Sequence, residues 1–378
     1  MYRIKNILNS VNKIVIKIGT NLLADKEKGI NLERIENIAR SVSHIQSLGK
    51  NVVIVSSGAI GAGVAALNLK KRPKSIPEKQ AAAAIGQPLL MEAYENAFRK
   101  EGCNIAQILL TKDDFVSRPR YLNARNTFSV LFQKRAIPII NENDTVAVEE
   151  IKLGDNDNLS AMAANLVEAD LLIILSDVDG LFTDDPAVNH KAELIPLVEK
   201  ITARVENFAK STKTDLSTGG MITKLQAAKR CTLSGISVVI TNGTDPDVLT
   251  QILSGSLKGT LFLPADKKIN VRKKWIGYVS HPRGFLIIDE GAKNALLKKN
   301  KSLLPSGILE VHGDFKANDT ISVKSINNLE IARGVSGFSS SDLNKIKGRN
   351  TLEIEKILGH KLRDEVIHKD NLVLIEEE

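Results

Sequence analysis

Up to about residue 262, short runs of β-branched residues alternate with longer stretches whose apolar residues recur at helical spacing. Ile14–Ile18, Val52–Val55, Ile105–Leu110, Ile137–Ile140, Leu171–Leu175 and Val238–Thr241 read as strands. Several are apolar at every position, as strands covered on both faces should be. Between them, Leu32–Leu48, Lys79–Lys100, Tyr121–Lys134, Asn158–Ala169 and Met221–Leu233 read as helices. Gly49 and Gly235 follow helices where a left-handed cap is expected. The alternation predicts an α/β domain with a mainly parallel sheet. Such sheets hold ligands at the carboxyl ends of their strands, so chemistry is sought in the residues just after each run.

After the basic segment Lys267–Lys274 the pattern changes. Short strand candidates at Phe285–Asp289, Gly307–His312, Thr320–Lys324 and Glu330–Gly334 are interrupted by one short helix, Ala292–Asn300. They predict a small β-rich barrel or sandwich of roughly 80 residues. The expected layout is therefore an α/β domain over 1–265, a basic linker over 266–274, a β-rich domain over 275–360 and a C-terminal tail over 361–378. Met1–Lys13 carries Ile4, Ile7, Leu8 and Val11 at helical spacing and reads as a leading helix rather than a signal peptide.

Charge and cysteine usage bound the function class. The formal net charge is +8, and residues 266–350 hold 16 basic against 8 acidic residues, so the excess sits in the late block. That is either a lysine-rich solvated surface or a footprint for a separate partner such as RNA. Two cysteines far apart in sequence, Cys103 and Cys231, suggest no disulfide framework and fit a cytoplasmic location. The six histidines lack metal-ligand spacing, and no apolar run approaches the roughly 20 residues that span a bilayer.

Five segments stand where chemistry is expected. Lys17 lies inside an apolar strand that ends at Gly19. Such a lysine either sits on a strand edge, snorkelling to water, or is paired with a bound phosphate. Ser56-Ser57-Gly58, with Gly61 and Gly63 beyond, places hydroxyls and glycines between a strand and a helix. This turn can bind an anion or serve close helix packing. Asn141-Glu-Asn-Asp144 and Gly154-Asp-Asn156-Asp157-Asn158 crowd carboxylates and amides at a strand end and before a helix. Asp157 or Asn158 can cap that helix, but the density of polar groups exceeds capping needs. Ser176-Asp177 follows the fifth strand. Finally, Ser217-Thr-Gly-Gly-Met-Ile-Thr-Lys224 leads into a helix whose N-terminus suits an anion, with Lys224 adding a full charge. The spacing is not that of the P-loop, the dinucleotide fingerprint, the nucleophile elbow or the calcium loop. Two lysines, two anion-binding turns and an acid–amide cluster on one sheet edge suit phosphoryl transfer, in which a protein mainly positions reactants and neutralises charge.

Ile16-Lys-Ile-Gly-Thr20, Ser56-Ser-Gly-Ala-Ile60, Ile139-Ile-Asn-Glu-Asn-Asp144, Gly154-Asp-Asn-Asp-Asn-Leu-Ser-Ala161 and Thr218-Gly-Gly-Met-Ile-Thr-Lys224, in that order, resemble the amino acid kinase family. Ser302-Leu-Leu-Pro-Ser-Gly-Ile308 and Val311-His-Gly-Asp-Phe315 resemble a PUA domain. The resemblance implies a three-layer α/β/α sandwich with a mainly parallel sheet, followed by the PUA domain. It also implies ATP-dependent phosphorylation, with Mg²⁺, of the γ-carboxylate of L-glutamate, a first step towards proline. Lys17 and Lys224 would hold the migrating phosphoryl group, and Asp157 would orient both. Ser57, Gly58, Asp144 and Asn156 would bind glutamate. Lys17, Ser176, Asp177, Thr218, Gly219, Gly220, Met221, Ile222, Thr223 and Lys224 would bind ATP, and no protein-held metal is expected. A homo-oligomer (dimer or tetramer), inhibition by proline and handover of the acyl phosphate to a downstream reductase are implied as well. Asp177-Val-Asp-Gly180 and Ile222 depart from the pattern of some relatives, without touching a proposed charge. A related kinase acting on aspartate, N-acetylglutamate, carbamate or a nucleoside monophosphate is the neighbouring reading. An RNA-binding role for the late block is the one of a different class, and five aromatics over 272–350 offer little for base stacking.

Overall fold

A computed structural model describes residues 10–25, 29–69, 73–147, 156–211, 220–265, 282–299, 301–359 and 364–375. The chain divides into two compact units, Met1–Lys268 and Ile269–Glu378. In the first, strands β1 (Lys13–Ile18), β2 (Asn51–Val55), β3 (Ile105–Leu110), β4 (Ile137–Glu142), β5 (Leu171–Ser176), β6 (Leu197–Val198), β7 (Ser237–Asn242) and β8 (Thr260–Phe262) form one sheet. Its order is β3-β4-β2-β1-β5-β7-β8-β6. All pairs are parallel except β7 with β8.

The strands are covered by α1 (Leu32–Ser47), α2 (Ala59–Ala66), α3 (Ile76–Lys100), α4 (Lys112–Val116), α5 (Arg118–Gln133), α6 (Asn156–Leu166), α7 (Ala203–Ser211), α8 (Met221–Leu233) and α9 (Val248–Ser254). Side chains alternate across a strand. Ile14, Ile16 and Ile18 of β1 enter a core with Ile35 and Ile38 of α1, Tyr94 and Phe98 of α3, and Leu249 and Ile252 of α9. Val15 and Lys17 face the other way, towards α6, which packs on β1 and against α8. Both faces of the sheet are thus covered, and β1 sits between β2 and β5 rather than at an edge.

Gly49 and Gly235 have φ of 82° and 78°, the left-handed conformation predicted after α1 and α8. Other local features differ from the sequence reading. Helix α3 starts three residues earlier than Lys79, because Ser75 and Glu78 form a capping box and Pro77 occupies the first turn. Helix α6 begins at Asn156, so Asp157 and Asn158 lie inside its first turn rather than capping it, and the helix ends at Leu166. Lys13, assigned to a leading helix, opens β1; residues 1–9 lie outside the described residues. Helix α2 was not predicted as a helix, since its sequence Ala-Ile-Gly-Ala-Gly-Val-Ala-Ala offers no polar face.

In the second unit, β9 (Gly284–Ile288), β10 (Ile308–Gly313), β11 (Thr320–Lys324), β12 (Glu330–Val335) and β13 (Leu372–Leu374) form a sheet in the order β10-β9-β11-β12-β13. Its core, including Leu286, Ile321, Val323 and Ala332, is closed by α10 (Glu290–Lys299) through Leu296 and α11 (Ser340–Ile346) through Leu343. The segment read as a tail supplies a strand, since Leu372–Leu374 pair with Gly334–Ala332. Leu372 packs in the core of this unit and Val373 is buried as well, which no tail would require. The linker 266–274 lies outside the described residues.

Candidate active site

Lys17 is the fifth residue of the central strand β1 and is only 5% exposed, so the strand-edge reading of it fails. A buried ammonium needs a partner. It has one in Asp157, fully buried in the first turn of α6, whose Oδ1 lies 2.6 Å from the Lys17 Nζ. Lys224, in the first turn of α8, approaches the other oxygen at 3.7 Å, and the Thr223 hydroxyl donates to that oxygen at 2.7 Å. Packing of α8 on α6 brings these residues of distant sequence together. Burial alone would raise the Asp157 pKa, but the Lys17 and Lys224 charges and the bonds from Lys17 and Thr223 outweigh it and hold the carboxyl below its usual range. For Lys224, burial pushes the pKa down, Asp157 opposes this, and the Lys17 charge adds to the fall.

Next to this cluster β5 ends in Ser176, whose hydroxyl donates to Asp177 Oδ1 at 3.0 Å, while Asn21 donates to Asp177 Oδ2 at 2.8 Å. Burial raises the Asp177 pKa, and these hydrogen bonds more than reverse it. Gly220 precedes α8 in extended backbone, φ −65° and ψ 176°, so it is not needed for a left-handed turn. A Cβ at Gly220 would meet no atom of the described residues within 4 Å. Met221 is buried, and Ile222 is exposed. Thr218 and Gly219 lie outside the described residues.

A second polar group lies where β2 and β4 end. Asn156 Nδ2 donates to the Ser56 carbonyl at 2.6 Å, to Ser57 Oγ at 2.9 Å and to Asn141 Oδ1 at 3.2 Å. Ser57 Oγ, having accepted one bond, keeps its own proton for an incoming acceptor. Gly58 has φ 100°, a conformation that favours glycine, and turns the chain into α2. Gly63 serves packing instead. A Cβ there would lie 1.8 Å from the Ala82 carbonyl oxygen, and one at Gly86 of α3 would lie 1.8 Å from that of Ala59. Asp144 is half-buried just beyond β4, and burial raises its pKa to about 6.

Asn156 and Asp157 are adjacent in α6, so one helix end reaches both groups: its amide the β2 and β4 ends, its carboxylate the two lysines. Sequence reasoning singled out these residues but missed Tyr94, whose hydroxyl lies 3.0 Å from Ser56 Oγ, and Gln87, bound to Asn141 at 2.9 Å. Both sit on α3, distant in sequence from the strand ends, and only their spacing along the helix hinted at a shared face.

A covered, mainly parallel sheet carrying two lysines on one buried carboxylate beside a cluster of amides and hydroxyls fits a phosphotransferase better than a hydride-transfer or hydrolytic enzyme. The match to known proteins narrows this. The amino acid kinase family matches residues 12–242 and the PUA domain residues 284–358. The chain belongs to the amino acid kinase family. Among its relatives, the glutamate 5-kinase of Thermoanaerobacter sp. strain X514 is 51% identical over 96% of this chain and 98% of its own length. That of Geobacter sulfurreducens is 47% identical over 98% and 99%.

Proposed function

We propose that this protein transfers the γ-phosphoryl group of ATP to the side-chain carboxylate of L-glutamate, giving L-glutamyl 5-phosphate, the first step of proline biosynthesis. The observation that carries the reading is the pair of lysines converging on Asp157. It is supported by about half the residues being shared with glutamate 5-kinases over nearly the whole chain.

Lys17 contributes one donor to Asp157, and an ammonium has three, so donors remain for phosphoryl oxygens. Lys224 approaches from α8. In a loose transition state the charge spreads over the equatorial oxygens of the migrating group, and two fixed ammoniums stabilise it most there. Asp157 opposes the lowering of the Lys224 pKa by burial and so favours its charged form. Its oxygens are already engaged by Lys17, Lys224 and Thr223, which leaves that carboxylate poorly suited to a metal. Mg²⁺ would therefore be held largely by the nucleotide phosphates, where it would neutralise charge. Ser176, Asp177 and the residues around Thr218–Lys224 would hold ATP.

The acceptor needs no general base, because a γ-carboxylate is already ionised at neutral pH. The Ser57 hydroxyl and Gly58 turn would take a substrate carboxylate, and Asp144 with Asn156 its ammonium. The expected setting is the cytoplasm, as a homo-oligomer open to proline inhibition, with the labile product passed to a reductase. The second unit, from about residue 269 onward, would be dispensable for the chemistry.

Trapping the product with hydroxylamine tests the reaction. Hydroxamate should form with glutamate and ATP, and far more slowly with aspartate, N-acetylglutamate or carbamate. Equal turnover of several acceptors would defeat the assignment.

A further inference from the structure

Three side chains of α3 reach the acceptor pocket at seven-residue steps. Gln80 Nε2 donates to the Ala147 carbonyl at 3.1 Å, Gln87 accepts from Asn141 Nδ2 at 2.9 Å, and the Tyr94 hydroxyl pairs with Ser56 Oγ at 3.0 Å. Residues seven apart lie nearly above one another on a helix, so one stripe of α3 meets the loop after β4, the end of β4 and the end of β2. The helix is pinned beside this stripe: a Cβ at Gly86 would overlap the backbone of α2, so the two helices touch backbone to backbone next to Gln87.

Two backbone groups that can play only one role each identify the amide orientations in this network. The Glu142 N–H donates to the Asn141 side chain at 3.0 Å, so the atom it meets is Oδ1. The other Asn141 atom is then the donor Nδ2, and the Gln87 atom facing it must be an oxygen. The Ser56 carbonyl can only accept, so the Asn156 atom 2.6 Å from it is Nδ2. That same nitrogen needs Asn141 Oδ1 as an acceptor at 3.2 Å. The Asn156 Oδ1 is left for a ligand, and among the described residues it accepts no hydrogen bond. If Asn141 turned over, it would present an N–H to both the Glu142 N–H and Asn156, and the network would break.

We propose that Gln87 is a positioning residue of the acceptor site. By accepting from Asn141 it holds Asn141, and through it Asn156, in the orientation that offers an oxygen to the free ammonium of an amino acid. This rests on the glutamate-kinase reading above. It adds the origin of the pocket's preference for an unmodified amino group, which lies in a residue of α3 outside the strand-end motifs.

Gln87→Met and Gln87→Glu test it side by side. Met removes the acceptor at similar size, whereas Glu keeps an oxygen there. For Q87M the KM for glutamate should rise about tenfold, with the KM for ATP unchanged and kcat within about threefold, as expected for one unsatisfied donor. The discrimination against N-acetylglutamate should shrink. Q87E should stay within about threefold of the parent. An unchanged glutamate KM in Q87M, or equal loss in Q87M and Q87E, would overturn the proposal. Should Q87M fail to fold, Asn141→Asp decides. Alone, it lets Gln87 turn its NH2 towards the new oxygen and should retain glutamate binding; combined with Q87E it faces two carboxylates and should lose it. Loss in both backgrounds, or in neither, refutes the proposal. A parent enzyme that forms no hydroxamate from glutamate refutes the functional reading itself, whatever the variants do.

Discussion

Replacing Asp157 by Asn removes the one negative charge on which the two buried lysines converge, and the structure sets the size of the effect. At 2.6 Å and 3.7 Å from the two ammoniums, the carboxylate attracts them by roughly 6 and 4 kcal/mol at an effective dielectric of about 20. The cost of burying three charges and relaxation of the site absorb much of that. Breaking a buried pair from one side typically costs about 3–5 kcal/mol. For a unit of this size that corresponds to a fall in Tm of roughly 6–10 °C. Turnover should fall by about 10²-fold or more, as when a charge-stabilising group is displaced.

The pH dependence gives the reasoning its sharpest test. The folded pKa of Asp157 is depressed, so its contribution is present above the ordinary carboxylate pKa and is lost as pH falls through the folded value. The Tm difference between parent and D157N should therefore close below about pH 4. Without Asp157 the Lys224 pKa falls further, since burial already lowers it, and the alkaline limb of the rate profile should move to lower pH. ATP should raise the Tm of the variant more than that of the parent, because phosphate replaces the missing anion. Calorimetry with and without nucleotide and a pH–rate series measure all of this. A D157N protein with the parent's Tm and turnover would refute the shared-carboxylate argument.

Lys17→Ala and Lys224→Ala should each lower kcat by about 10²-fold, read by hydroxamate formation. Because burial raises the Asp144 pKa to about 6, the glutamate KM should climb as pH falls through 6, while the ATP KM stays level. A flat glutamate KM between pH 7 and 5 would remove Asp144 from ammonium binding. Gly63→Ala places a Cβ 1.8 Å from the Ala82 oxygen and should destabilise by about 3 kcal/mol or more, whereas Gly61→Ala meets no atom of the described residues within 4 Å and should be neutral or stabilising by up to about 1 kcal/mol. Melting temperatures of the two variants distinguish packing from ligand contact as the reason for that glycine cluster.

Much of this fold was legible in the chain because its signals are local. Apolar runs such as Leu171–Leu175 mark strands buried on both sides, and glycines after α1 and α8 mark where left-handed backbone ends a helix. Helix α2 escaped because amphipathic periodicity needs a polar face, and its run of alanines, glycines, Ile60 and Val64 has none. The start of α3 was readable in Ser75-Ile-Pro-Glu78, yet the apolar pattern that marks a helix begins later. Strand β13 escaped because three residues carry too little periodicity to stand out.

The sequence by itself determined the alternation of the longer strands and helices and the polar segments that follow β1, β2, β4 and β5, since these follow from short-range spacing. Only tertiary structure decided that Lys17 is buried in a central strand, that Asp157 faces two lysines rather than capping its helix, and that Gln87 reads the orientation of Asn141. Those outcomes depend on which face of each element meets which neighbour. That is fixed by packing between segments far apart in the chain, where no local pattern carries the information.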